Sequence, residues 1–204
     1  MRTGAHIISF IFHPLLLATY LVAILGFYFP AILSIAPQNF KVILAFVFCF
    51  TFILPVVNLV MFRQFGTISS YTLRERTDRL LPFVAIMIIY LVMTFLFFNK
   101  LPFSTNLNKF MVIVAALVVF STFLTFFFKV SVHSVAMGGM IGILLPLNKA
   151  IDSQLLLWPT VIALTIAGLV MSSRLYLNTH TSTEVSVGFV SGFAISFAAM
   201  LVLF

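Results

Sequence analysis

Residues 173–184 read Ser-Arg-Leu-Tyr-Leu-Asn-Thr-His-Thr-Ser-Thr-Glu and set a guanidinium, an imidazole and a carboxylate between two apolar runs. Ionisable groups at a membrane boundary are costly to desolvate, which marks them as functional. His180 and Glu184 stand four residues apart, so a helix beginning near His180 puts both on one face. A carboxylate so placed holds one ring nitrogen and leaves the other free to react. Two more segments carry reactive groups: Lys129-Val130-Ser131-Val132-His133-Ser134, and Leu73 to Pro82 with Arg74, Arg76 and Arg79. A phosphoryl group in transfer needs positive charge around its three equatorial oxygens and a nucleophile in line. Arg79 and Arg174 offer forks matched to phosphate oxygens, Lys129 adds a cation, and helices starting near Ser131 and His180 add backbone N–H donors. Two histidines on separate segments allow one to attack and the other to move a proton.

The elements that position these groups follow from composition. Of 204 residues, 63% are hydrophobic and only 7% charged, and the mean hydropathy is +1.25. Soluble domains carry about 25% charge, so the chain reads as an integral membrane protein and, with no polar stretch to separate, as a single domain over residues 1–204. Seven segments approach the roughly 20 residues needed to cross a bilayer: Ile7–Phe29, Val42–Phe62, Leu81–Phe98, Phe110–Phe128, Val130–Leu147, Leu155–Met171 and Val185–Phe204. The first exceeds a signal-peptide core and is read as a retained span. The fifth and sixth are short, so the expectation is an all-α, polytopic transmembrane bundle of six to seven spans. Open sheet edges are excluded in lipid, and the runs lack the alternation of barrel strands.

Threading seven spans places the loops Arg63–Leu80, Lys129–Ser134 and Ser172–Glu184 on one face, where their polar groups converge. The net charge of +7 sits in short loops, which points to anionic headgroups and away from nucleic acid. Cys49 is the only cysteine, so thiolate metal clusters and disulfides are unavailable and the residue reads as packing. Gly138, Gly139, Gly142, Gly188 and Gly192 permit close helix approach and are read as contacts within one bundle. His6 and His13-Pro14 have no partner evident in sequence and are read as structural.

The order Ser-Arg, five residues, His, three residues, acid at Ser173–Glu184 resembles the third signature of the type 2 phosphatidic acid phosphatase superfamily, with Glu184 in place of the usual Asp. Ser131-Val132-His133 is similar to the core of the second signature, with Val130 and Val132 replacing its proline and glycine. The Arg74–Pro82 segment is similar in position and basic character to the first, but Thr72 stands where that signature has lysine. The resemblance implies an integral membrane lipid phosphatase. His180 would form a phosphohistidine, Glu184 would orient it, and His133 would protonate the leaving oxygen. Arg174, Arg79, Arg76, Lys129 and Ser131 would hold the phosphate, with no metal and no cofactor. The substrate would be a membrane lipid phosphate or diphosphate of the undecaprenyl diphosphate, phosphatidylglycerophosphate or phosphatidic acid class. Related lipid phosphatases commonly work on the outer face of the bacterial inner membrane, so the resemblance implies a site on that face. The competing readings are a lipid phosphotransferase, and a non-enzymatic small transporter or lipid-binding protein. The spans hold few charges between their ends, which disfavours an ion path.

Overall fold

A computed structural model describes residues 2–70, 76–100, 104–150 and 154–204, with the backbone alone for residues 76 and 77. The described chain is helical and contains no strand. Where one span was expected over Ile7–Phe29, there are two helices, α1 (Arg2–Ile11) and α2 (Pro14–Tyr28), whose axes turn by 58°. Pro14 causes the break. It has no N–H to donate to the preceding turn, and its ring drives His13 out of the helical region, to φ −64° and ψ 137°. The same proline then opens α2, where a missing N–H costs nothing.

A short helix, α3 (Pro30–Leu33), leads to α4 (Pro37–Phe48), which continues through a π-helical turn at Cys49–Ile53 into α5 (Leu54–Gln64). Pro55 stands just past that turn, and the wider winding accommodates a residue that cannot donate a helical hydrogen bond. Thr51 in the turn is fully buried; its hydroxyl lies 3.2 Å from that of Thr19, and its carbonyl accepts the Tyr90 hydroxyl at 3.1 Å. The long helices α6 (Arg76–Asn99) and α7 (Thr105–Phe127) follow, the latter capped by Ser104, whose hydroxyl accepts the Leu107 N–H. The chain ends in α8 (Val132–Ala150), α9 (Leu157–Tyr176) and α10 (Ser182–Leu203).

Among the described residues five helical stretches are long and apolar enough to cross a membrane, and a sixth if α1 and α2 count as one broken span. The expected fifth span, Val130–Leu147, corresponds to α8, which is not one of them. This helix is the axis of the bundle, packed against α2, α7, α9 and α10, and most of its side chains are buried. Its neighbours are protein rather than lipid, so small residues replace the large apolar ones. A Cβ on Gly138 would stand 2.2 Å from the Phe189 carbonyl oxygen, and one on Gly192 would stand 2.1 Å from that of Val135. The backbones of α8 and α10 touch there, and the glycines serve contacts within the chain. Large apolar side chains on several helices, Phe27, Phe127, Trp158 and Val202 among them, are exposed, an outer surface suited to lipid and not to water. The protein is an integral membrane helical bundle.

Candidate functional site

The end of α9 builds the first wall. Arg174 lies in its last turn, and its carbonyl is held by both the N–H (3.2 Å) and the hydroxyl (3.0 Å) of Thr179. Asn178 adopts φ 51°, the left-handed conformation that ends helices and that asparagine tolerates. The turn brings His180 to the start of α10. The helix begins at Ser182 rather than at His180, with Thr181 as its cap; the Thr181 hydroxyl accepts the Glu184 N–H at 3.3 Å. Thr181-Ser182-Thr183-Glu184 has the form of a capping box, in which the glutamate would reach back to the cap backbone. Here the carboxylate turns instead to His180, with Oε2 2.5 Å from Nδ1. The extra methylene of glutamate thus spans the distance from the first helical turn to a histidine standing before the cap.

A carboxylate accepts, so Nδ1 of His180 carries the proton and Nε2 presents a lone pair. His180 is buried, and its pKa is lowered from the usual histidine value. Burial is the largest cause; Arg79 and Arg174 add to it, and the Glu184 hydrogen bond and charge oppose it. The ring is therefore neutral at pH 7, as a nucleophile must be.

The segments expected to share a face meet. Arg79, buried in the first turns of α6, donates from Nη1 to the Val130 carbonyl at 3.3 Å. The next residue, Ser131, donates its N–H to the Glu184 carbonyl at 3.2 Å. His133, in the first turn of α8, places Nε2 3.1 Å from the Ser9 carbonyl. A carbonyl only accepts, so Nε2 is protonated and Nδ1 is the exchangeable nitrogen.

Arg79, Arg174, His133 and His180 line one cavity of about 210 Å³. Much of the rest of its lining is apolar, with Leu21, Val118 and Ile143 among the residues. The Arg174 Nε is buried and has no hydrogen-bond partner among the described residues. An unmet donor of this kind costs free energy unless a ligand satisfies it. The cavity thus combines cationic groups with a hydrocarbon-like lining.

Other expected site residues stand elsewhere. Ser131 is fully buried, and its hydroxyl accepts from the Ser134 N–H (3.4 Å) and hydroxyl (2.9 Å), capping α8; it does not line the cavity. Lys129 is half-buried and also outside the lining. Arg74, Thr72 and the side chain of Arg76 lie outside the described residues. His13, read from sequence as structural, lines the cavity, its ring edge-on to that of His133 with centroids 5.5 Å apart. Its one sequence signal was a polar residue at a helix-breaking proline inside an apolar run. Comparison with protein families, with characterised proteins and with solved structures finds no match for this chain.

Proposed function

We propose that the protein is an integral membrane lipid phosphatase that acts on a phosphate or diphosphate headgroup through a phosphohistidine. The observation that carries this reading is the His180–Glu184 pair, held at 2.5 Å beside a cavity with two arginines and a second oriented histidine. The phosphate would sit between Arg79 and Arg174, meeting the unpaired Nε of the latter, and the first carbons of the lipid would lie against the apolar lining. The lone pair on His180 Nε2 forms the N–P bond as the P–O bond to the leaving group breaks. Glu184 stabilises the positive charge that develops on the ring. The leaving oxygen takes its proton through Nδ1 of His133, while the Nε2–H of that ring is kept by the Ser9 carbonyl. Burial keeps the ring neutral at rest, and it first receives this proton from the P–O–H of the bound substrate. Water then gives a proton to that Nδ1 as its oxygen attacks phosphorus, and the N–P bond breaks to free phosphate and neutral His180. By the resemblance of its motifs to those of lipid phosphatases, the site would face outward from a bacterial inner membrane.

The test is phosphate release by purified protein from a panel of lipid phosphates and diphosphates, with and without a chelator. The expected outcome is turnover that survives chelation and is abolished by His180→Ala in a protein that remains folded. Turnover by the His180→Ala protein, or activity that returns only with a divalent metal, would sink the mechanism.

A further inference from the structure

The N-terminal helix break places a third imidazole at the cavity, and its hydrogen bonding fixes what that imidazole can do. His13 caps α2, with Nδ1 accepting the Leu15 N–H at 3.4 Å. A nitrogen that accepts an N–H carries no proton itself, so the ring proton is on Nε2, across the ring from the helix end. No hydrogen bond to that Nε2 occurs among the described residues, although the ring lines the cavity shared with Arg79, Arg174, His133 and His180. Protonating His13 would require a proton on Nδ1, where two donors would then face each other.

We infer that His13 is an anion-binding residue of the site, which donates Nε2–H to a phosphate oxygen as a neutral ring and transfers no proton. The inference rests on the phosphate reading of the cavity and adds a residue to it. It also divides the three imidazoles by role. His180 has a free lone pair, His133 has an exchangeable Nδ1, and His13 has a fixed N–H. Neutral imidazole at a helix N-terminus is suited to such donation, because the helix end disfavours the imidazolium. A donor that stays neutral around pH 7 contributes there without taking part in proton transfer.

The two functions of the ring can be separated by substitution. His13→Asn keeps a short polar acceptor at the cap position, where asparagine is among the best residues, but does not reach the position of Nε2. His13→Gln places an N–H donor near Nε2 and gives up the cap acceptor. Each protein, purified in detergent, is titrated with inorganic phosphate by calorimetry, and its thermal midpoint and pH–rate profile are recorded. His13→Asn should keep the wild-type midpoint and lose phosphate affinity about tenfold, as expected for a hydrogen bond to a charged ligand. His13→Gln should bind within about threefold of wild type despite a lower midpoint, by the same reasoning. Neither should move the limbs of the pH profile. Wild-type phosphate affinity in His13→Asn would reduce His13 to a cap and overturn the inference alone. Equal loss in a folded His13→Gln, or a lost limb in either variant, would do the same. Failure of the wild-type protein to bind phosphate would overturn both the inference and the phosphate reading. Phosphate binding that depends on His13 without any lipid turnover would leave the inference standing and overturn hydrolysis.

Discussion

In the proposed mechanism His180 serves as the nucleophile because opposing influences on its ring leave it neutral and oriented. Burial and the charges of Arg79 and Arg174 disfavour the imidazolium, while the Glu184 carboxylate favours it. Because the folded pKa is lowered, the acid limb of kcat/KM should lie below the ordinary histidine value of about 6.5. Arg174→Gln removes one of the lowering charges and should move that limb upward, and Glu184→Gln should move it further down. Comparing variants on one substrate cancels the substrate's own ionisation, and an unmoved limb in both would exclude His180 as its source. Glu184→Gln should also slow turnover on the order of 100-fold, since proton and charge support from a positioned group is worth that much. The same lowering ties His180 to stability. Its contribution is fully present above about pH 6.5, where folded and unfolded rings are both neutral, and is lost as pH falls through the folded pKa. Arg174→Lys should weaken phosphate binding about tenfold even though charge is kept, because a point charge does not replace the fork.

At the scale of elements, α8 and α10 are held at backbone contact by glycine, and the two kinds of glycine in this bundle should respond to alanine with opposite signs. At Gly192 an added Cβ meets the Val135 carbonyl at 2.1 Å, whereas at Gly168 in α9 nothing lies within 4 Å. Gly192→Ala should therefore destabilise by about 1–3 kcal/mol through overpacking, and Gly168→Ala should be neutral or stabilise by up to about 1 kcal/mol. Thermal midpoints in detergent check both, and equal midpoints for the pair would contradict the contact. The helices were legible because lipid forces long apolar runs into helices whatever their order, and the capping residues Thr181 and Ser104 stand where local chemistry predicts. The His180–Glu184 pair was legible from its closeness in sequence, although not from one helix face, since α10 starts at Ser182 and His180 stands before its cap. The share of α8 in the bundle axis and the role of Ser131 were less so, because burial by neighbouring helices leaves no periodic mark on a sequence already apolar throughout. His13 was missed because its partner is distant: the N-terminal segment reaches His133 across 124 residues, from the Ser9 carbonyl, and no local pattern encodes that meeting.

At the scale of the molecule, the arrangement of α6 fixes which loops share the site's end. Arg79 in its first turns lies at the site, and its 24 residues carry the chain about 36 Å, the thickness of a bilayer core and more. Thr67 precedes α6 and Thr105 opens α7 beyond it, and both are exposed. They therefore report opposite faces, the first that of the site. Basic residues on the site's end would by the usual rule favour the cytoplasm. Arg79 and Arg174 are held there by the cavity rather than by topology, so the rule counts residues that answer to a different constraint. The outward site proposed above is checked with single cysteines at Thr67 and Thr105 in a Cys49→Ala background, labelled on intact spheroplasts with a membrane-impermeant thiol reagent. Labelling at Thr67 alone is expected. Labelling at Thr105 alone would put the cavity in the cytoplasm, where its substrate would have to be a lipid phosphate of the inner leaflet. Labelling at both would mean that α6 does not cross the membrane, and the bundle would then need a different insertion altogether.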